Sequence, residues 1–134
     1  MKLGVFVKLG DRDIEVEFKK LKDNGFSTCQ LNSWEEADMT QEMADKINAA
    51  KEKYGIEITA FWCGWEGPKV WDFYEGPATL GLVPTAYRFD RMKTLKKGCD
   101  FAKLIGVKDV VTHVGFLPEN PSSTEYRDMA SCIK

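Results

Sequence analysis

The only histidine of the chain, His113, lies in the stretch VVTHVGFLPENP, between an apolar run and a glycine turn. An imidazole at such a place can serve as a general acid or base, as a metal ligand or as a hydrogen-bond partner for a bound molecule. A lone histidine after an apolar run can equally be a buried residue with satisfied nitrogens. This stretch by itself leaves both interpretations open.

Cysteine thiolates could also bind a metal, and paired cysteines could form disulfides. Cys29, Cys63, Cys99 and Cys132 are far apart and include no C-x-x-C pair. The spacing therefore indicates neither a zinc site nor a disulfide framework. We expect reduced thiols, with Cys29 in a strand and Cys99 on an apolar helix face as small hydrophobic residues.

Composition and charge narrow the class of protein and of partner. The 134 residues are 43% hydrophobic and 30% charged, which is typical of one soluble globular domain spanning residues 1–134. The net charge of −2, without a basic stripe, argues against a nucleic-acid partner. No run approaches the ~20 apolar residues of a membrane span, and the first residues lack a signal-peptide core. We therefore expect no membrane partner and a cytoplasmic location.

The elements that must position these residues follow from a junction that occurs three times. Gly25, Gly55 and Gly106 each follow basic residues and precede an apolar run. This pattern is typical of a glycine just past a helix C-terminus, where φ is positive and the helix dipole favours cations. Each junction therefore predicts a helix that leads into a strand.

Hydrophobic periodicity assigns the elements between the junctions. Helical spacing of apolar residues predicts helices over 14–23, 40–54 and 88–105, and a capping box of Ser122 and Glu125 predicts a fourth helix to the chain end. The apolar face of the third helix contains Met92, Leu95, Cys99 and Ala102. Runs rich in β-branched and aromatic residues predict strands at Leu3–Val7, Phe26–Leu31, Ile56–Phe61 and Val107–Thr112.

Strict alternation of strands and helices predicts the α/β class, with a parallel sheet in the order β1-α1-β2-α2-β3-α3-β4-α4. Such a chain forms either a doubly wound open sheet of the flavodoxin type or the parallel (β/α)4 half of a TIM barrel. The first βα loop, KLGDRD, lacks phosphate-cradling glycines, and no G-x-G-x-x-G follows a strand, which disfavours the open sheet. Because a full (β/α)8 barrel needs about 250 residues, we expect a half-barrel that is truncated relative to the full fold.

Ligand contacts in a parallel α/β fold collect in the loops at the carboxyl ends of the strands. The loop after β3 has about 26 residues and contains the aromatic residues Trp62, Trp65, Trp71, Phe73, Tyr74 and Tyr87. Such a loop predicts an ordered wall over the barrel mouth, whose rings, Trp65 among them, either stack on a small polyhydroxylated ligand or pack only on one another. Glu66 and Glu119 are weaker candidates for substrate contact, since most loop carboxylates are simply solvated.

Four segments carry a family resemblance: LGVFV, NGFSTCQLN, GIEITAFWCGW and LIGVKDVVTHVGF. Over essentially its whole length the chain resembles the amino-terminal half of the xylose isomerase-like TIM-barrel superfamily. This superfamily contains the sugar phosphate isomerases and epimerases together with endonuclease IV. The resemblance implies a sugar or sugar phosphate as the small-molecule partner.

The resemblance also implies a divalent metal, Mn, Mg, Co or Zn, in the full-length proteins. Two Glu, an Asp and a His from the last four strands usually hold it, and none of those strands matches this chain. It therefore implies no metal ligand, no catalytic residue and no cofactor for these residues alone. The amino-terminal half generally supplies substrate contacts, and the matching positions are Gln30, Asn32, Trp62 and His113.

Endonuclease IV provides a test within the same superfamily. There a histidine at the β4 end ligates zinc together with another histidine at the β3 end. This chain has Trp62 at the β3 end and no second histidine. Together with the acidic net charge, this departure argues against cleavage of DNA at abasic sites.

Two functions remain. The first is the amino-terminal half of a metal-dependent sugar or sugar-phosphate isomerase or epimerase, which is inactive alone because no loop combines a base with an oxyanion stabiliser. The alternative is a non-catalytic module that forms a homodimer through the exposed edges of β1 and β4 and binds a small polar ligand. The final segment, SSTEYRDMASCIK, predicts a helix with no following strand, which favours truncation.

Overall fold

The computed structural model describes residues 2–10 and 12–134. Its strands are β1 (Gly4–Lys8), β2 (Thr28–Ser33), β3 (Glu57–Cys63) and β4 (Val110–Val111), and its longer helices are α1 (Ile14–Asp23), α2 (Gln41–Tyr54), α3 (Thr85–Leu104) and α4 (Thr124–Ile133). A 3-10 turn at Glu36–Asp38 follows β2, and a single α-helical turn at Gly76–Thr79 lies between β3 and α3. Met1 and Asp11, the latter in the first βα loop KLGDRD, lie outside the described residues.

The four strands form one parallel sheet in the order β1-β2-β3-β4. Each strand is followed by a helix, so every connection has the β-α-β form that a parallel sheet requires. This arrangement confirms the predicted α/β class and the (β/α)4 half-barrel. Within the described part of the chain, no helix is both long enough and apolar enough to cross a membrane.

The hydrophobic core lies between one face of the sheet and helices α1, α2 and α3. Alternate strand residues such as Leu31 and Phe61 are fully buried there, because successive side chains of a strand point to opposite faces. Helix α1 contributes Phe18 from its apolar stripe. The rings of Phe61 and Phe101 lie 5.3 Å apart, which anchors α3 against β3.

The three glycine junctions have the predicted backbone conformation. The φ angles are 79° at Gly25, 66° at Gly55 and 69° at Gly106. A side chain would be strained there, and the glycines let the chain reverse from each helix into the following segment. The prediction of these three helix ends is confirmed.

Several boundaries differ from the prediction. Strands β1 to β3 begin and end one or two residues later than predicted, and β4 contains only Val110–Val111 instead of Val107–Thr112. The N–H of Val107 donates to the carbonyl of Ala102 (2.8 Å), so the first residues of the predicted strand still belong to the turn after α3. The loop after β3 shortens to residues 64–84, because β3 extends to Cys63 and α3 begins at Thr85.

The predicted apolar face of α3 is confirmed at Ala102 and is displaced by about one position at the other three residues. Met92, Leu95 and Cys99 are only half-buried, whereas the buried residues of α3 are Arg88, Arg91, Thr94, Gly98, Phe101 and Ala102. A periodicity argument treats arginine as a surface residue, but here two arginines turn inward to bind backbone carbonyls. Polar groups that find hydrogen-bond acceptors can therefore occupy buried positions that a periodicity argument reserves for apolar residues.

The predicted cap of the last helix was also wrong by one residue. The hydroxyl of Ser123, not Ser122, accepts a hydrogen bond from the N–H of Tyr126 (3.2 Å). The N–H of Ser122 instead donates to the side chain of Asn120 (2.9 Å), so Ser122 lies in the preceding turn.

Candidate functional site

The sheet face opposite the helices, here called the open face, carries side chains in matching register. Its last row contains Lys8, Asn32, Trp62 and Val111, and the row before it contains Phe6, Gln30 and Ala60. The ring of Phe6 is 55% exposed and meets Trp62 edge-on at 6.1 Å. The predicted residues Gln30, Asn32 and Trp62 therefore lie side by side on one surface.

Asn32 is engaged by its own neighbours. It is 2% exposed, and with its amide turned so that both ends find partners, the nitrogen donates to Val7 O (3.1 Å) and the oxygen accepts from Trp34 Nε1 (3.0 Å). The sequence resemblance implied substrate contact at Asn32, and that remains a prediction. In the structure, the side chain of Asn32 binds the indole N–H of Trp34.

Trp34 begins a series of ring contacts that crosses the mouth. Its ring meets Trp65 at 5.4 Å and Trp71 at 6.3 Å, both edge-to-face. Trp71 in turn lies 4.9 Å from the imidazole of His113, with the planes at 78°. Gly64 permits this packing, because a Cβ there would lie 2.4 Å from the Trp34 ring.

His113 is half-buried just beyond β4. Its Nδ1 accepts a hydrogen bond from the N–H of Gly115 (3.0 Å). In the neutral imidazole the proton must then reside on Nε2, which is left as a donor. Gly115 has a φ of 105°, and this left-handed turn brings its N–H back to the imidazole.

A mainly apolar cleft of about 260 Å³ opens beside this histidine. Its lining includes Trp71, Asp72, Phe73, Leu80, His113 and Phe116. Aromatic walls with one or two placed polar groups are typical of sites for small organic ligands. We call this pocket the His113 cleft.

Asp72 organises the outer wall of the His113 cleft. Its carboxylate accepts from the N–H groups of Glu75 (2.7 Å), Tyr74 (2.9 Å) and Gly76 (3.2 Å). These bonds, above all the one from Glu75, hold the pKa of Asp72 below its ordinary value. The carboxylate therefore stays ionised and fixes the start of the helical turn Gly76–Thr79.

The remaining predicted residues lie elsewhere. Glu66 lines a separate cleft of about 360 Å³ beside α3, and Glu119 is exposed in the loop after β4. Trp65 is 1% exposed, so its ring supports Trp34 from beneath. The structure brings His113, Trp71 and Asp72 together, and it does not bring Glu66 or Glu119 to them.

Sequence reasoning missed Trp34 and Asp72 as parts of the site, and it counted Trp71 only among the loop aromatics. Trp34 follows the end of β2 directly, so its place at the carboxyl edge was available as a signal. The contact of Trp71 with His113 joins two loops that are far apart in sequence. Nothing in either loop alone indicates that pair.

The described residues do not fit a divalent-metal centre. Across residues 2–10 and 12–134, no group of three His, Cys, Asp or Glu side chains is arranged to hold a metal ion. The Nδ1 of His113 is already taken by Gly115, and the carboxylate of Asp72 is committed to backbone N–H groups. No complete coordination shell can be built from these side chains.

Comparison with known proteins supports the assignment of the fold. No family model matches the sequence, and no curated protein matches it. Among solved structures, a xylose isomerase domain protein from Planctomyces limnophilus superposes with a TM-score of 0.85 and 28% identity, covering 98% of this chain and 47% of that chain. A 3-keto-D-glucoside 4-epimerase from E. coli in its apo form gives a TM-score of 0.57 and 19% identity, covering 97% and 48%.

This chain therefore spans about half the length of the solved structures that it matches. The likeness to the epimerase concerns the fold alone, whereas the likeness to the xylose isomerase domain protein extends to the sequence. Both agree with four parallel strands that alternate with helices. The chain is a xylose isomerase-like half-barrel, equivalent to the amino-terminal half of that TIM-barrel fold.

Proposed function

We propose that this chain is the amino-terminal half of a sugar or sugar-phosphate isomerase or epimerase and that its His113 cleft contacts the sugar. The observation that carries the proposal is the contact of His113 with Trp71, 4.9 Å apart, in an apolar cleft at the carboxyl edge of the sheet. The 28% identity to a xylose isomerase domain protein supports the substrate class.

The chemistry of the cleft suits a polyhydroxylated ligand. A sugar presents C–H groups that pack on an aromatic face and oxygens that accept hydrogen bonds. Trp71, which is 55% exposed, offers the ring, and the Nε2–H of His113 offers the donor. Trp62 lies on the open face, outside the lining of this cleft, and its buried indole N–H has no partner within the described residues; a ligand or another part of a full barrel would satisfy it.

The acid and base groups of such a reaction are proposed to lie outside this chain. Proton abstraction next to a carbonyl needs a positioned base and a group that stabilises the developing oxyanion. Asp72 already satisfies three backbone N–H groups, so it is not free to move a proton. We therefore assign the metal and the catalytic carboxylates to the second half of a longer polypeptide, and we expect residues 1–134 alone to bind sugar without turnover.

A cytoplasmic location is part of the same proposal. All four cysteines are free, and burial raises the pKa of both Cys29 and Cys63 to about 12. Buried protonated thiols are inert packing groups, and free cysteines are typical of a reducing compartment.

The test uses the imidazole of His113, which gives a single set of histidine signals. D-Xylose and D-fructose 6-phosphate are titrated into the labelled chain while the histidine resonances are followed by NMR, with glycerol as the control polyol. We expect saturable shifts for at least one sugar. The Trp71→Ala variant should bind about tenfold more weakly, because the ring contact is lost.

Phe89 provides the matched control. It is 82% exposed on α3 and does not line the His113 cleft, so Phe89→Ala should bind sugar as the wild type does. Equal weakening by Trp71→Ala and Phe89→Ala would place binding elsewhere. The absence of any saturable histidine shift with either sugar would refute the proposal.

A second candidate function, the homodimeric binding module, is favoured by the edges of the sheet. β1 and β4 are the outer strands, and Leu3 and Phe6 at the β1 side are 71% and 55% exposed. Unpaired strand edges and uncovered apolar side chains invite association with another chain. Light scattering should then give a dimer that Phe6→Lys dissociates and Phe89→Lys leaves intact. A monomeric wild-type chain contradicts this candidate.

A further inference from the structure

Two arginines of α3 are buried without any carboxylate partner in the described part of the chain. Arg88 is 8% exposed and Arg91 is 3% exposed. Burying a guanidinium is costly unless its N–H groups find acceptors. The role of these two side chains therefore depends on the groups that they bind. Both bind backbone carbonyl groups of the loop that precedes α3.

The carbonyls belong to one short segment, residues 80–83, which we call the strap. Arg88 donates from Nε to Leu82 O (2.8 Å) and from Nη2 to Val83 O (2.6 Å). Arg91 donates from Nη1 to Gly81 O (2.6 Å). Three consecutive carbonyls of the strap are thus held by two guanidinium groups.

The opposite side of the strap lies against the turn that carries His113. The N–H groups of Leu82 and Val83 both donate to Val114 O, at 2.6 and 3.0 Å. The backbones touch so closely that a Cβ at Gly81 would lie 2.1 Å from the carbonyl carbon of Val114. Val114 stands between His113 and Gly115, whose N–H fixes the imidazole.

Arg91 also determines the path of the loop that carries Trp71. Its Nη2 donates to Pro68 O (2.8 Å), and its guanidinium carbon lies 5.0 Å from the centre of the Trp65 ring and 4.6 Å from that of the Tyr87 ring. Pro68 and the strap flank Trp71 in sequence. One side chain therefore ties both ends of the segment that places Trp71 beside the imidazole.

We propose that Arg91, assisted by Arg88, is the positioning residue of the His113 cleft, because through the strap it holds His113 in its Nε2–H form against Trp71. Neither arginine lines the His113 cleft, and their influence passes through backbone hydrogen bonds. The role of the cleft in sugar binding rests on the proposed function, but the positioning itself does not. The Nε2–H donor of His113 is thus already oriented before a ligand reaches this cleft.

The experiment observes the histidine nitrogens of the unliganded chain. Long-range ¹H–¹⁵N correlation spectra distinguish a fixed Nε2–H tautomer from the exchanging mixture of a free imidazole. The wild type should show the fixed form, together with close contacts between His113 and Trp71. Arg91→Met keeps the aliphatic part of the side chain and removes the guanidinium group. In this variant His113 should shift towards the exchanging mixture of tautomers and lose its close contacts with Trp71.

Arg91→Lys is the second variant, for the case that Arg91→Met does not fold. An ammonium keeps the charge but cannot span Gly81 O and Pro68 O with a planar fork, so the same change is expected in weaker form. Arg127→Met is the control, because Arg127 is exposed on α4 and binds Ser122 O away from the cleft. This variant should leave the histidine spectrum unchanged.

Amide hydrogen exchange provides a second test, part of which needs only the wild-type chain. The Leu82 and Val83 N–H groups should exchange as slowly as those of the central sheet, and at least about tenfold faster in a folded Arg91 variant. Fast exchange at both groups in the wild type overturns the proposal, as does an unchanged histidine spectrum in a folded Arg91 variant. Since no sugar is present, a failure of sugar binding leaves these results intact and counts only against the proposed function.

Discussion

The close contact between Gly81 and the turn that carries His113 should affect both the free energy of unfolding and the environment of the imidazole. Gly81 has a φ of 71°, and a Cβ added there would lie 2.1 Å from Val114 C. Gly67 in the same loop has a φ of 88° with nothing within 4 Å of an added Cβ. Gly81→Ala and Gly67→Ala therefore share the backbone strain and differ only in the collision.

The size of each effect follows from these two terms. A left-handed conformation costs an alanine about 1–2 kcal/mol, which is the whole expected loss for Gly67→Ala. At Gly81 the strap must also move away from Val114, and this breaks the two hydrogen bonds that Leu82 and Val83 donate, each worth about 1 kcal/mol. We expect Gly81→Ala to lose about 3–4 kcal/mol in the free energy of unfolding.

Urea denaturation followed by tryptophan fluorescence measures both losses, and NMR of the histidine measures the local consequence. Gly81→Ala should release the His113 turn and alter its imidazole signals, whereas Gly67→Ala should leave them as they are. Equal free-energy losses in the two variants would refute the reasoning that this close backbone approach fixes the site. An unchanged histidine spectrum in folded Gly81→Ala would do the same.

Two further predictions concern the helix behind the site and the loop in front of it. Gly98→Ala should lower the free energy of unfolding by about 1–2 kcal/mol despite the better helix propensity of alanine, because its Cβ would lie 2.3 Å from Cys63 Sγ. In urea denaturation, the double variant Gly98→Ala with Cys63→Ala should lose less free energy than the sum of the two single variants. Backbone N–H groups, led by that of Glu75, lower the pKa of Asp72 in the folded chain. The contribution of the Asp72 carboxylate to folding stability is therefore complete above its pKa in the unfolded chain and is lost as the pH falls through its pKa in the folded chain. Melting temperatures measured from neutral to acidic pH should therefore fall less steeply for Asp72→Asn, and identical slopes would contradict this cause.

Local sequence rules located the framework of the molecule well. The three junction glycines, the alternation of strands and helices and the position of His113 just after β4 all followed from patterns within a few residues of one another. Such features depend on backbone preferences and on strand or helix periodicity, which are properties of short segments. The resemblance to the xylose isomerase-like fold rested on those same segments, and the structural comparison agrees with it.

The parts that local rules missed are those that depend on distant partners. Periodicity displaced the inward face of α3 by about one position, because it could not foresee that Arg88 and Arg91 would find carbonyl acceptors in the strap. Sequence spacing also gave no indication that Glu66, a weaker candidate for substrate contact, lines a cleft separate from that of His113. Whether a polar side chain is buried depends on acceptors in other elements of the fold, so spacing alone does not decide it.

The sequence by itself determined a parallel α/β sheet whose lone histidine stands at the carboxyl edge, while the choice of a half-barrel over an open sheet rested on the family resemblance. Backbone propensity and hydrophobic alternation suffice for the sheet, since each acts within one element. Only the tertiary structure decided that Nδ1 of His113 is bound by Gly115, that Trp71 lies beside the imidazole and that Arg91 holds the loop between them. These contacts join the β3 loop, the β4 turn and α3, and they form only when the sheet has brought the three together.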